Sequence, residues 1–366
     1  MAAKSFNVLG LCNGSLHGNS EILLKAALDS LKSSITRPTK VSWVHVPSVE
    51  IPRNPKPLKT AADISLGKVT SMKAGASSSP TEEPADDRLA ILDAILDADA
   101  LIFATPVYSH QPPGFLKAVT DRIMGPFTDA AFVQRVLERK EAGDPKFKDQ
   151  VADARVLKPR VVGFLVVAGS KYSEHYTMAL PTLHQFVYPI HAKVVDQIIF
   201  SGFASPGSVI FKDGGSCVER AKLLGKNVAS QLGKKFDDAT YLGPKTEGSC
   251  PYCHLSQFEF IGGTTNEICC VICGMRGTLV AQGNAIKSVW SSDASQSCIT
   301  MEGKFLHADH IQDAGMEEAQ ARQAFTPQKL ETVKSDLLGL DIPVLPLPST
   351  KRSQNLSKSS SFCSVM

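Results

Sequence analysis

Phe6-Asn7-Val8-Leu9-Gly10-Leu11-Cys12-Asn13-Gly14-Ser15-Leu16-His17-Gly18-Asn19-Ser20-Glu21-Ile22-Leu23-Leu24-Lys25-Ala26-Ala27-Leu28 reads in three parts. Phe6 to Leu11 is an apolar run of strand length, Asn13 to Ser20 is small and polar, and Glu21 onward has the apolar spacing of an amphipathic helix. Strand, glycine-containing loop and helix in that order open a parallel sheet covered by helices. The loop also suits an anion. Small residues let backbone N–H groups converge, Ser and Asn side chains add donors, and the helix N-terminus adds partial positive charge. A plain turn capped by Asn19 or Ser20 fits the same letters. The Gly-Lys-Ser/Thr ending of a P-loop and the G-x-G-x-x-G of a dinucleotide fold are both missing.

Outward from this unit the pattern repeats as far as Leu232. Strands are expected at Phe6 to Leu11, Val41 to Val46, Ala100 to Ala104, Val161 to Ala168 and Val194 to Phe200. Helices are expected near Asn19 to Leu31, Asp86 to Leu96, Gly114 to Arg122, His175 to Phe186 and Cys217 to Leu232. The fold class is therefore α/β, a doubly wound five-stranded parallel sheet whose ligands sit at the carboxyl ends of the strands. Residues 1–235 form this domain, with 47–84, six prolines and a serine run, as an irregular insertion. Residues 236–249 read as a linker, 250–310 as a cysteine-rich module, 311–340 as a helical segment and 341–366 as a disordered Pro- and Ser-rich tail. Within the helical segment, Glu317 to Ala324 and Pro327 to Leu338 carry helical spacing, with Thr326 as a start signal.

A second stretch, Thr105-Pro106-Val107-Tyr108-Ser109-His110-Gln111-Pro112-Pro113-Gly114-Phe115-Leu116-Lys117-Ala118-Val119-Thr120-Asp121-Arg122, follows the third strand. Taken with the first loop, it resembles the NADPH-dependent FMN reductase family and its iron-sulfur flavoprotein relatives, which share a flavodoxin-like fold. That family carries G-S-x-x-x-x-N-[ST] around the FMN phosphate and T/S-P-x-Y…G-x-x-K-x-x-x-D-R along the isoalloxazine. Here one residue fewer separates Ser15 from Asn19. The resemblance implies phosphate contacts from Ser15, Asn19 and Ser20, and ring contacts from Pro106, Val107, Tyr108 and Ser109. It also implies contacts from Gly169 and Ser170 after the fourth strand, although the family's Gly-Gly pair is absent there. The iron-sulfur relatives place a cysteine cluster ahead of the helix expected at Asp86, and residues 47–84 contain no cysteine, so no iron-sulfur cluster is expected.

By the same resemblance the activity is that of an FMN-dependent NAD(P)H oxidoreductase. Hydride passes from NADPH or NADH to FMN and on to a quinone-like or other small organic acceptor, with the flavin carrying the chemistry. Tyr108 and His110 are the candidate catalytic residues, Tyr108 against the ring and His110 as proton donor to the product; a packing tyrosine and a solvated loop histidine are the plainer readings. His175, Tyr176, His184 and Tyr188 read either as a lid over the acceptor or as the face of an ordinary amphipathic helix. A homodimer is implied, since relatives commonly build the pocket across two subunits.

Cys250-Pro251-Tyr252-Cys253 and Cys270-Val271-Ile272-Cys273-Gly274 make C-x2-C-x16-C-x2-C, the spacing of a zinc ribbon. Cys250, Cys253, Cys270 and Cys273 are the expected ligands, with zinc favoured over rubredoxin-like iron. A hairpin from Thr278 to Val280 and Ile286 to Val289 should lie beneath, the module acting as a folding staple or a wall of the flavin pocket. His254, His307 and His310 are read as non-ligands, and Cys12 and Cys217 as core residues.

Among 366 residues, Lys plus Arg number 39 and Asp plus Glu 36, so the net charge of +3 argues against a general nucleic-acid binder. Nine cysteines, an odd count with four of them in two C-x-x-C pairs, suit a reducing, cytoplasmic setting, and neither a signal peptide nor a spanning segment is expected. The ending Cys363-Ser364-Val365-Met366 fits a C-a-a-X box, with reversible membrane association through a prenyl group on Cys363 as its consequence. The competing functions are a flavoprotein electron carrier, with iron in the four-cysteine site, and an FMN-binding regulator or scaffold without steady turnover.

Overall fold

The computed structural model describes residues 5–52, 85–150, 152–263 and 265–343. The bulk of the 47–84 insertion, nearly all of the 341–366 tail and Cys363 lie outside the described residues. Five parallel strands, β1 (Phe6–Cys12), β2 (Thr39–His45), β3 (Ala100–Pro106), β4 (Val161–Ala168) and β5 (Lys193–Ser201), form one sheet in the order β2-β1-β3-β4-β5. The chain leaves β1 toward one edge, returns for β3 on its other side, and so puts the switch point between β1 and β3. All five strands match the expected ones, shifted by up to two residues at their ends.

Alternate residues of each central strand feed two cores. Leu9, Leu11, Leu101, Phe103, Phe164 and Val166 pack under α2 (Arg88–Asp97), α3 (Gly114–Ile123), α4 (Ala130–Glu141) and α5 (Ala179–Val187). Val8, Cys12, Ile102, Leu165 and Val167 pack under α1 (Asn19–Ser33), the single turn α6 (Ser208–Phe211) and α7 (Ser216–Gln231). Helices α1 and α7 touch directly. A Cβ on Gly225 would stand 2.1 Å from the Ala27 carbonyl oxygen, so only glycine fits that crossing.

Two buried charges are held inside this frame. Arg160, 2% exposed, donates to the carbonyls of Leu96, Ala98, Arg155 and Ile190, and burial pushes it down to about 10. Asp196 on β5 is fully buried and accepts from Arg220 and from Asn227 of α7.

Helix α4 was not expected from sequence. Its last turn is charged and its mean character is polar, but Asp129 caps it by accepting from the Phe132 N–H, and Ala130, Val133 and Val136 are buried. The helix expected from His175 starts at Ala179 instead, after a short turn at Ser173–His175.

Residues 236–249 do not hang free between two bodies. Leu242 donates its N–H to the Val195 carbonyl at 2.7 Å, and Tyr241 is buried and stacked on His254. The module that follows has an antiparallel sheet, β6 (Phe258–Phe260), β7 (Glu267–Cys270), β8 (Arg276–Gln282) and β9 (Ala285–Trp290), in that order, and β8 and β9 are the expected hairpin. The expected helix at Glu317 is longer than its sequence signal: α8 runs Met301–Gln323, beginning inside the stretch assigned to the module.

Two compact units divide the chain at Asp309 and His310. The sheet domain and the cysteine module belong to the first. In the second, the rest of α8 is followed by α9 (Pro327–Leu338), which Thr326 caps as expected by accepting from the Lys329 N–H. Among the described residues, no helix is long and apolar enough to cross a membrane.

Candidate functional site

The loops after β1, β3 and β4 meet at the carboxyl edge of the sheet, and Asn13 fastens two of them. Its side-chain amide donates to Thr105 Oγ1 at 3.2 Å and to the Pro113 carbonyl at 3.1 Å, and its backbone N–H donates to the Ala104 carbonyl. Asn13 is 2% exposed, and its Oδ1 has no partner among the described residues. Sequence reasoning passed it over; the signal was an Asn at the end of a buried strand. Gly14 brings the next groups together, because a Cβ there would lie 2.9 Å from Ser20 Cβ and 3.2 Å from Pro106 Cδ.

The backbone N–H groups of Ser15, Leu16, Asn19 and Ser20 have no acceptor among the described residues, and no side chain caps α1. A cluster of free amides at a helix N-terminus, beside a glycine-lined approach, fits a phosphate. The donors differ from expectation in one respect. Asn19 Nδ2 is engaged by the Ser205 carbonyl at 3.0 Å and Ser208 Oγ at 3.3 Å, and its Oδ1 is buried without a partner. Glu21 also sits in this first turn. It accepts from the His17 N–H and pairs with Lys25, and these two, Lys25 the stronger, hold it below the usual carboxylate range, so its charge is spent locally.

The loop after β3 turns tightly: Tyr108 and Gln111 exchange backbone hydrogen bonds across Ser109 (φ 49°) and His110 (φ 73°). Left-handed backbone at two residues with side chains costs roughly 1–3 kcal/mol each and persists only where neighbours enforce it. The neighbours are in the loop after β4. His110 Nδ1 donates to the Glu174 carbonyl at 2.7 Å, and the His110 carbonyl accepts from Met178 N–H. A carbonyl can only accept, so the neutral ring carries its proton on Nδ1 and keeps a lone pair on Nε2. Val107 N–H donates to the Val167 carbonyl, and Tyr108 is 58% exposed at the rim.

In the loop after β4, Gly169 lies beside Ala204, while Ser170 accepts through its carbonyl from Gly202 and through its hydroxyl from Tyr172 N–H. The four-residue lid does not assemble. His175 lies against His110 with ring centroids 5.7 Å apart, but His184 is 3% exposed and bonded to Gln197, on the core side of α5. Burial pushes His184 down to about 4.

A groove of about 900 Å³ opens beside the β3 loop. Pro113, Leu116, Met178 and Phe186 make its apolar lining, and Gln257 and Val271 of the cysteine module close one side. The module is fixed there by Gln257 donating to the Thr177 carbonyl, Gln185 to the Ile272 carbonyl and Gln197 to the Cys253 carbonyl.

Cys250, Cys253, Cys270 and Cys273 are buried, with all four sulfurs within 4.8 Å of one another. The Cys250–Cys273 and Cys253–Cys270 separations are 3.4 and 3.5 Å, close to the roughly 3.8 Å edge of a tetrahedron of thiolates about a zinc ion. The two C-x-x-C turns are copies of each other. Cys250 N–H donates to Leu255 O and His254 N–H to Cys250 O, as Cys270 N–H does to Met275 O and Gly274 N–H to Cys270 O. Sulfur–sulfur contacts push Cys250 and Cys270 down and Cys253 and Cys273 up, since neighbouring thiols cannot all ionise together without a cation. His254 stacks on Tyr241, and His307 and His310 lie on α8. Cys269 turns away, its thiol against the Gly274 carbonyl.

Residues 6–204 match the family model described as NADPH-dependent FMN reductase. A protein from Aspergillus candidus named flavone synthase cfoJ is 32% identical over 335 residues, covering 91% of this chain and 95% of its own length. A solved structure named flavone reductase superposes with a TM-score of 0.66 at 22% identity, covering 93% of this chain and 100% of its own.

Proposed function

Because the chain belongs to the NADPH-dependent FMN reductase family and is an FMN-dependent oxidoreductase, we propose that it passes hydride from NADPH or NADH, by way of FMN, to a planar conjugated acceptor of the flavone class. The observation that carries this reading is the set of amides at Ser15, Leu16, Asn19 and Ser20 without an acceptor among the described residues, at the same strand edge as the Tyr108 turn. The flavone class rests on the relative named flavone synthase, named for the molecule it makes and matched along nearly its whole length; the place of that molecule as acceptor rests on the family's NADPH-to-flavin direction and on a groove of the size that encloses a small organic ligand.

When bound, FMN supplies a centre that takes a hydride from one partner and delivers it to another. The amides of Ser15, Leu16, Asn19 and Ser20, with the Ser15 and Ser20 hydroxyls, would hold its phosphate. Asn19 acts mainly by bracing α1 against Ser205 and Ser208. Pro106, Val107, Tyr108 and Ser109 after β3, and Gly169 and Ser170 after β4, would receive the ring. Tyr108 closes the rim, and His110, with Nδ1 committed to Glu174, can hold or release a proton only at Nε2. Gln257 and Val271 make the cysteine module the far wall of the acceptor groove. Cys250, Cys253, Cys270 and Cys273 would hold a zinc ion that ties that wall together, and a second copy of the chain would cover the exposed rim.

Anaerobic absorption spectroscopy of the FMN-loaded protein tests both halves. Stoichiometric NADPH or NADH should bleach the flavin band, and a flavone added afterwards should restore it. Colour restored by a quinone but not by any flavone would replace the acceptor class; no bleaching with either nucleotide would reject the donor half.

A further inference from the structure

We infer that His45, which belongs to neither flavin loop, is the positioning residue that aims the Ser15 amide at the FMN phosphate. His45 is the last residue of β2 and stands in register with Cys12 at the end of β1, so its ring overhangs the start of the β1 loop. Its Nε2 lies 2.8 Å from the Gly14 carbonyl oxygen and its Nδ1 lies 2.6 Å from Ser48 Oγ.

These two contacts assign the ring. The Gly14 carbonyl can only accept, so Nε2 carries hydrogen; the Nδ1 of the neutral ring then accepts from the Ser48 hydroxyl. Ser48 closes the short turn Val46–Ser48, where Pro47 immediately precedes it and stiffens the backbone that presents the hydroxyl.

The consequence follows from peptide geometry. The Gly14 carbonyl and the Ser15 N–H belong to one planar trans peptide and point in opposite directions. Drawing the oxygen toward β2 therefore turns the Ser15 N–H away from β2 and into the loop, where it has no acceptor among the described residues. Gly14 is itself closely packed, since a Cβ on it would lie 2.9 Å from Ser20 Cβ and 3.2 Å from Pro106 Cδ. His45 sets the rotation of this peptide without touching the flavin.

The inference rests on the reading of the Ser15 to Ser20 loop as the phosphate site, and the measurement separates the two. FMN and riboflavin differ only in the phosphate, so their dissociation constants, from flavin fluorescence titrations of wild type, His45→Leu and His45→Gln, isolate the effect. Wild type should prefer FMN. In His45→Leu the FMN constant should rise by about tenfold or more, the scale of one hydrogen bond to a charged group, while the riboflavin constant stays the same. His45→Gln, whose amide N–H stands near the position of Nε2–H, should retain most of the preference. An unchanged preference in His45→Leu overturns the inference, as does an equal loss for both flavins, which would mean that His45 merely supports β2. Equal binding of the two flavins by wild type removes the phosphate reading itself, and the inference with it.

Discussion

His184 and His191 are both neutral in the fold because burial removes the water that would stabilise their charge; they are pushed down to about 4 and about 3. The unfolded chain takes up their protons near the ordinary histidine value, so between roughly pH 6.5 and 4 it binds more protons than the folded one. Stability should thus be full above that window and fall as pH drops through it, by up to roughly 1.4 kcal/mol per pH unit for each group. Urea unfolding midpoints followed downward from neutral pH check this, and a His184→Gln variant should show a shallower fall. His110 belongs to a different argument. If its Nε2 moves a proton to or from the acceptor, His110→Ala should slow reoxidation by the acceptor about a hundredfold and leave reduction by NADPH nearly unchanged. Stopped-flow measurement of the two half-reactions gives both numbers, and a parallel fall in both would make His110 only a loop brace.

At the level of elements, α1 and α7 cross at Gly225, where the Ala27 carbonyl leaves no room for a Cβ. Gly225→Ala should cost about 1–3 kcal/mol by forcing the helices apart, with a drop of several degrees in Tm by calorimetry. The β2 edge, by contrast, is half-exposed and should tolerate substitution at Ser42. Cysteine turns behave as a unit. Replacing Cys270 with Ser should lower bound metal from about one zinc per chain toward none, because a closed structural site needs all four thiolates; elemental analysis of the purified protein reads it directly. These elements also differ in how readable they were. The buried strands β1, β3 and β4 are continuous apolar runs, and such a run has few other uses. Helix α4 was invisible because five of its twelve residues are charged and its buried side is no more than Ala130, Ala131, Val133 and Val136. The start of α8 at Met301 was missed because its hydrophobic residues make no stripe.

For the whole first unit, the sheet domain and the cysteine module share one groove through Gln257 and Val271. Metal removal should therefore act on the acceptor and not on the flavin. Chelator-treated protein is expected to keep its FMN affinity, while the KM for a flavone-class acceptor rises severalfold and trypsin begins to cut between Cys250 and Trp290. Retained KM with a released module would show that the groove is not the acceptor site.

The sequence by itself determined the five strands, most of the helices, the small polar loop after β1 and the two C-x-x-C pairs, because each depends on periodicity or on spacing within a short stretch. Tertiary structure decided the rest. That Asn13 ties the β1 loop to Pro113, that His45 reaches the Gly14 carbonyl, and that His184 faces the core through Gln197 while His175 faces His110 are all contacts between segments distant in the chain. So is the docking of residues 236–249 along β5, where composition had suggested only a linker. Periodicity says which face of an element is apolar, but which polar group meets which is set by the packing of that face against others. Such pairings leave no spacing to read.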